Sequence, residues 1–316
     1  MHERRLLISG IGGDIGQSIA RAVGGAVCCF GADMIPFPAA GTFVKDFVLL
    51  PPARNVEAYI EALHREVARL NVDYFLPVSE PEIDALNANR DRWNDLPAKI
   101  LINSAEVLRV CLDKLNTAWF LRDSGLQSPR SELLRDYRGG ATFPLIVKHR
   151  RTWGGRKVWT VETPEQLERL RVADDGGLIV QEKLGDVSEE YTTGVFSDGT
   201  NVSTISFRRY LGYGGLTREA HLVHDAALDE LGGKIARGLD LRGAINVQSR
   251  RVERGFVPFE INPRISSTVG IRAHYGFEDV LWWLDLMEGR THSFVPRAKN
   301  GYAIRYLVET YLDSNA

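Results

Sequence analysis

The sequence predicts an α/β unit at the N-terminus joined to a larger α+β unit, and three observations carry that prediction. Apolar strands alternate with amphipathic helices over roughly the first hundred residues, the pattern of a mostly parallel sheet covered on both faces. After Pro129 the pattern turns to short strands separated by one helix, spaced as a mostly antiparallel module. Residues 244–267, AINVQSRRVERGFVPFEINPRISS, then read as two adjacent strands joined by the charged turn RRVER. A chain of 316 residues, 44% hydrophobic and 25% charged, is long enough for two or three compact layers.

The elements follow in order. RRLLISG is a short apolar strand, GIGGDIG a turn and QSIARAVGG a helix; AVCCFGAD is a second strand carrying Gly31 and Asp33 at its end. VEAYIEALHREVARL places Ile60, Leu63, Val67 and Leu70 on one helical stripe. VDYFLPVSE is a third strand, EIDALNANRDRW a helix, and KILINS closes the unit. A long helical stretch starts at Ser104, a good N-cap, and runs through SAEVLRVCLDKLNTAWFLRDSGL. FPLIVKHR, KVWTVET, LIVQEKL and EEYTTGVFS are strands, with PEQLERLRVA as the helix among them. NVSTISFRRY, the helix HDAALDELGGKIARGLD, the paired strands, the helix FEDVLWWLDLMEGR and a last strand in AIRYLVE complete the chain.

Composition excludes several function classes. A formal net charge of -2 gives no support to a nucleic-acid partner bound through bulk charge. The three cysteines are Cys28, Cys29 and Cys111, two of them adjacent in an apolar run, which reads as buried thiols rather than a disulfide or metal knuckle. The start MHERRLLISG has no long apolar core and no stretch approaches a membrane span, so the expectation is a cytoplasmic protein with no membrane partner.

Four motifs carry chemistry. Alternation along GFVPFEINP places Phe259 and Ile261 on one face and Glu260 and Asn262 on the other, with Gln248 of the preceding strand level with the polar pair. Two amides and a carboxylate make an all-oxygen set of the kind Mg²⁺ prefers when it also holds phosphates, and Arg264 follows. Lys148 ends an apolar strand and is followed by a basic glycine-containing loop with Gly154 and Gly155, suited to closing over a triphosphate; a solvated hairpin is the bland alternative. Gln181, Glu182, Lys183 and Leu184 end another strand, where a carbonyl and an N–H lie side by side to read an adenine edge, ahead of the acidic pair Glu189 and Glu190. GIGGDIG could seat an anion at a helix N-terminus, but its spacing is not G-x-G-x-x-G and no Tyr precedes a Lys by four, so a structural turn is favoured over a dehydrogenase cofactor site.

The series Asp113-Lys114, Lys148 with its loop, QEKL with EEYT, NVQ and FEINPR occurs in one order, and it resembles the ATP-grasp superfamily, in the branch similar to the large subunit of carbamoyl-phosphate synthetase. The resemblance runs from about residue 111 to 289, with FEINPRISS its most specific part. It implies a Rossmann-like βαβ domain over 1–108 and an ATP-grasp domain over 109–316, with a small lid lobe at about 142–200.

The resemblance also implies roles. Lys114 and Lys148 would contact nucleotide phosphates under a cover loop at 152–157 holding Gly154 and Gly155. Gln181, Glu182, Lys183 and Leu184 would hold the adenine and Glu190 the ribose. Gln248, Glu260 and Asn262 would bind Mg²⁺, or Mn²⁺ in its place, and Arg264 would stabilise the transferring phosphoryl group. Arg208 or Arg209 would meet the carboxylate substrate or phosphate, Ser79 and Glu80 would read the amine, and Arg272 and His274 are either substrate-side or structural. The implied reaction is ATP-dependent joining of a small-molecule carboxylate and amine through an acyl phosphate, with a homodimer as the assembly the family suggests. A carboxylate–thiol ligase, a kinase and a non-catalytic nucleotide-binding module remain alternatives. Only one grasp unit is present, and Gln248 stands where many relatives carry an acid.

Overall fold

The computed structural model describes residues 3–93, 95–151, 158–212 and 215–312. The chain begins with β1 (Arg5–Ile8), α1 (Asp14–Val23), β2 (Cys28–Asp33), β3 (Phe47–Leu49), α2 (Val56–Leu70), β4 (Tyr74–Leu76), α3 (Glu80–Ala88) and β5 (Lys99–Ile100). The strands form one parallel sheet in the order β3-β2-β1-β4-β5. Alternation along β1 sends Leu6 and Ile8 to the face covered by α1, through Ile19 and Val23, and Leu7 to the face covered by α2 and α3. The predicted stripe Ile60, Leu63, Val67 and Leu70 is the buried face of α2. Strand β3 went unread in the sequence, because three residues are too few to show a period.

The long helical stretch is two helices, α4 (Ala105–Cys111) and α5 (Lys114–Asp123). Asp113 breaks it: its carboxylate accepts from the backbone N–H groups of Leu115 and Asn116, an N-cap that starts a new helix. Next come β6 (Ser131–Leu133), β7 (Leu145–His149), β8 (Val158–Val161), α6 (Pro164–Val172) and β9 (Leu178–Glu182), an antiparallel sheet in the order β6-β9-β7-β8. This lobe therefore differs from the expected 142–200, since its first strand is at Ser131–Leu133 and its last ends at Glu182.

The segment EEYTTGVFS instead enters a larger sheet. Its strands are β10 (Glu190–Asp198), β11 (Val202–Leu211) and β12 (Thr217–Val223), then, after α7 (Ala226–Gly238), β13 (Arg242–Val252) and β14 (Gly255–Asn262). After α8 (Val269–His274) and α9 (Asp279–Met287), β15 (Tyr302–Ile304) completes the order β14-β13-β10-β11-β12-β15. Strand β12 lies between NVSTISFRRY and the helix HDAALDELGGKIARGLD, where the sequence reading placed no element. Helix α1 packs on α8, so the C-terminal ends of the parallel sheet face the large sheet. Among the described residues no helix is long and apolar enough to cross a membrane.

Candidate active site

A cleft of about 510 Å³ lies between the four-stranded lobe and the six-stranded sheet. It gathers eleven of the residues singled out in the sequence: Lys114, Lys148, Gln181, Glu182, Leu184, Glu190, Arg209, Gln248, Glu260, Asn262 and Arg264. Lys183 is exposed and Arg208 turns away, donating to the Ser188 carbonyl and pairing with Glu189 at 2.7 Å. Gly154 and Gly155, with the loop 152–157, lie outside the described residues. A second cavity of about 380 Å³, by β11 and β12, contains none of these residues.

The floor of the cleft is set by strand register. On β13 and β14, Gln248 lies opposite Glu260 and Asn246 opposite Asn262; across β10, Gln248 faces Thr192 and Arg250 faces Glu190. The register slips between Gln248 and Ser249, a bulge that takes up Phe259. Strict alternation put Phe259 on the face away from Glu260, and the bulge overturns it: both side chains line the cleft, while Ile261 is buried in the core behind. The hairpin turn is also shorter than RRVER, because β13 continues through Val252, and Arg250 thereby gains a place in the cleft.

Among the described residues, neither the Glu260 carboxylate nor the Asn262 amide takes or gives a hydrogen bond, so both keep their oxygens for a ligand. Gln248 differs: Arg209 Nη2 donates to its Oε1 at 2.9 Å. No group of three or more His, Cys, Asp or Glu residues that could hold a metal occurs among the described residues. An all-oxygen set with one carboxylate fits a hard divalent ion that brings further oxygens from a bound phosphate. Glu260 and Asn262 are the residues that would hold it.

Cations stand opposite. Lys148, buried at the end of β7, is pulled down to about 8 by burial, against the Glu260 carboxylate, which favours its charged form. Lys114 begins α5, where the Asp113 carboxylate also accepts from Arg150 Nη2 at 2.7 Å and the Lys114 N–H donates to the Arg150 carbonyl. These bonds tie the helix start to the end of β7 and hold both lysines at one end of the cleft.

At the hinge, Glu182 is engaged by Arg254 at 2.8 and 2.9 Å, so its side chain is already paired while Leu184 lines the cleft. Glu190 is buried between two guanidiniums, one oxygen accepting from Arg209 and the other from Arg250 at 3.0 Å. Arg250 also donates to the Leu184 carbonyl at 3.0 Å and lies over the Phe259 ring. The sequence reading passed over Arg250 as part of a charged turn.

A buried polar chain supports the floor. Arg272 pairs with Asp279 on one side and donates to Ser266 Oγ at 2.7 Å and Thr268 Oγ1 at 3.1 Å on the other. Ser266 Oγ donates to Asn246 Oδ1, which also accepts from Thr192 Oγ1 at 2.8 Å. Gly194 makes room for Arg272, since a Cβ there would lie 3.1 Å from its Cδ. Arg272 is thus a structural strut, 1% exposed, and His274 is exposed at the surface. Their spacing gave no signal, because the partners lie on separate strands.

The N-terminal unit reaches the cleft through Asp14 and Ile15 at the start of α1. In the GIGGDIG turn the Gly12 N–H donates to Asp33 Oδ2 at 2.9 Å and the Gly13 N–H to the Gly10 carbonyl, so these two amides are already used within the turn. Gly16 is required by packing, since a Cβ would lie 2.4 Å from the Gly10 oxygen. Ser79 caps α3 in a capping box with Glu82, and Glu80 lies 3.7 Å from Arg264.

Residues 175–310 match the family model described as ATP-grasp in the biosynthetic pathway with Ter operon. The chain is 25% identical over 195 residues to the carbamoyl phosphate synthase large chain of Ralstonia nicotianae, a match over 54% of this chain and 18% of that relative. The chain thus spans about a fifth of the relative's length. Among solved structures, it is similar to a biotin carboxylase–βγ-ATP complex from Campylobacter jejuni (TM-score 0.74, 16% identity, 92% of this chain and 72% of that one). It is also similar to an L-amino acid ligase from Bacillus licheniformis (TM-score 0.69, 17% identity, 90% and 75%). These likenesses show the fold, which is the ATP-grasp fold. Over residues 175–310 the chain is similar to the ATP-grasp family, and it resembles the large chain of carbamoyl phosphate synthase.

Proposed function

We propose that the protein is an ATP-dependent carboxylate–amine ligase that works through an acyl phosphate and releases ADP and phosphate. The observation that carries the reading is the opposition, in one cleft, of two lysines to a carboxylate and an amide that make no hydrogen bond among the described residues. That arrangement suits a triphosphate at one end and a reacting carboxylate at the other. In this reading the N-terminal parallel sheet is a Rossmann-like domain that contributes the acceptor side of the cleft.

Lys114 and Lys148 orient the phosphates, and the apolar wall of Ile146, Val158, Leu184 and Phe259 encloses the adenine. Glu190 meets the ribose from its position between Arg209 and Arg250. Glu260 and Asn262, with Gln248 beside them, would hold a divalent ion, which would supply charge neutralisation on the phosphates. Arg264 stabilises charge on the transferring phosphoryl group, and Arg209, which lines the same cleft, meets the substrate carboxylate. A carboxylate is a poor electrophile, and phosphorylation gives it a good leaving group that must be kept from water.

The similarity to an L-amino acid ligase fold supports the amine as acceptor. The test is ADP release measured against panels of carboxylates, amines and thiols. Condensed amide with stoichiometric ADP supports the reading. A phosphorylated product without condensation, or a thioester, would replace it with a kinase or a thiol ligase.

A further inference from the structure

We propose that Glu80 receives the amine substrate as an ammonium ion, at the point where the strand order of the parallel sheet reverses, and takes the proton that the amine must lose. The inference rests on the ligase reading above and specifies its acceptor site.

Three observations converge on this place. Helix α1 leaves β1 to cover one face of the sheet and α3 leaves β4 to cover the other, so the strand order reverses between the neighbouring C-terminal ends of β1 and β4. Open parallel sheets bind ligands at such points. Glu80 is the first residue of α3, directly at this point, and its neighbour Ser79 is committed to the helix cap. This point lies beside the cleft, because Arg264 lines the cleft and is 3.7 Å from the Glu80 carboxylate.

Glu80 is unusual in its bonding. It is 8% exposed, yet among the described residues no donor makes a hydrogen bond to its carboxylate, and 3.7 Å to Arg264 is too long for one. A buried carboxylate without donors is costly, and a cationic ligand relieves that cost. Burial raises its proton affinity, with Arg264 opposing and Glu260 reinforcing the shift, which suits a proton acceptor. The nearby Glu82 shows the contrast: it accepts from Ser9, Tyr59 and Ser79 and has no need of a ligand.

The step balances. One ammonium proton passes to Glu80 and on to solvent, and the freed lone pair forms the C–N bond to the acyl carbon. The C–O bond to phosphorus breaks with its electron pair on phosphate, which keeps the second proton lost from nitrogen.

The test compares two acceptors with ATP, Mg²⁺ and each standard amino acid as carboxylate. Hydroxylamine is a neutral nucleophile that reports acyl phosphate as hydroxamate; the other acceptors are the same amino acids, ethanolamine and ammonium chloride. Glu80→Gln is expected to lower amide formation roughly tenfold or more relative to hydroxamate formation, with a raised KM for the amine, and Glu80→Asp to restore part of the loss. An unchanged amide-to-hydroxamate ratio in Glu80→Gln, including an equal fall in both, overturns the assignment while the ligase reading stands. Hydroxamate from the wild type with no amide from any of these amines also overturns it. Absence of carboxylate-dependent hydroxamate and ADP from the wild type removes the ligase reading, and this inference with it.

Discussion

Arg209 Nη2 donates to Gln248 Oε1 at 2.9 Å, and that oxygen is the one a divalent ion would need. The guanidinium places a positive charge beside the ligand set, and the set holds a single carboxylate, Glu260. Mg²⁺ is therefore expected to bind the nucleotide-free protein weakly and to bind tightly once phosphate oxygens complete its shell. Calorimetric titration of Mg²⁺ with and without ADP measures this. Equal affinity in both conditions would place the metal on other residues.

Replacing Glu260 by Ala removes the sole carboxylate of the set while leaving its neighbours packed. Turnover should fall by at least about a thousandfold, the scale of several kcal/mol that metal-assisted charge stabilisation supplies. The folded state should be little affected, since Glu260 makes no hydrogen bond among the described residues. Steady-state ADP release and a thermal melt check the two halves separately.

Lys148 gives the cleft a pH dependence. Its native value of about 8 lies below the ordinary lysine value of about 10.4, chiefly because it is buried. Bound phosphate favours the ammonium, so ATP affinity should be full below about pH 8 and fall as pH rises above it. Binding near that pH should take up protons, visible as a dependence of calorimetric heat on the buffer's ionisation enthalpy. Stability runs the other way: the unfolded chain holds more protons between about pH 8 and about 10.4, so this group makes folding more favourable as pH rises through that window.

Arg272 and Asp279 form a buried ion pair whose arginine also supports Ser266 and Thr268. Arg272→Met leaves the Asp279 carboxylate buried without its partner, a loss of about 3–5 kcal/mol. The melting temperature should drop by roughly 10 °C. Asp279→Asn, which keeps an acceptor for the guanidinium, should cost less.

The sequence carried the chemistry further than the geometry. Lys148, Glu260, Asn262 and Arg264 were legible because each sits in a short contiguous motif, and all four line the cleft. The parallel unit was legible from periodicity, down to the buried stripe of α2. Bonds across strands were not. The pairing of Glu190 with Arg209 and Arg250, and of Glu182 with Arg254, depends on register that one sequence does not state. The bulge at Phe259 changed which side chains share a face, which strict alternation could not foresee. Asn246, Thr192 and Ser266 were missed for the same reason, since a buried polar network has no spacing of its own.

The central claim is that ATP activates a carboxylate as an acyl phosphate. Oxygen-18 placed in the carboxyl group of whichever carboxylate supports turnover tests it directly, by mass spectrometry of the inorganic phosphate released. The mechanism predicts one labelled oxygen in each phosphate formed during ligation. Unlabelled phosphate, formed at the same rate as the product, would contradict it and point to ATP hydrolysis separate from bond formation.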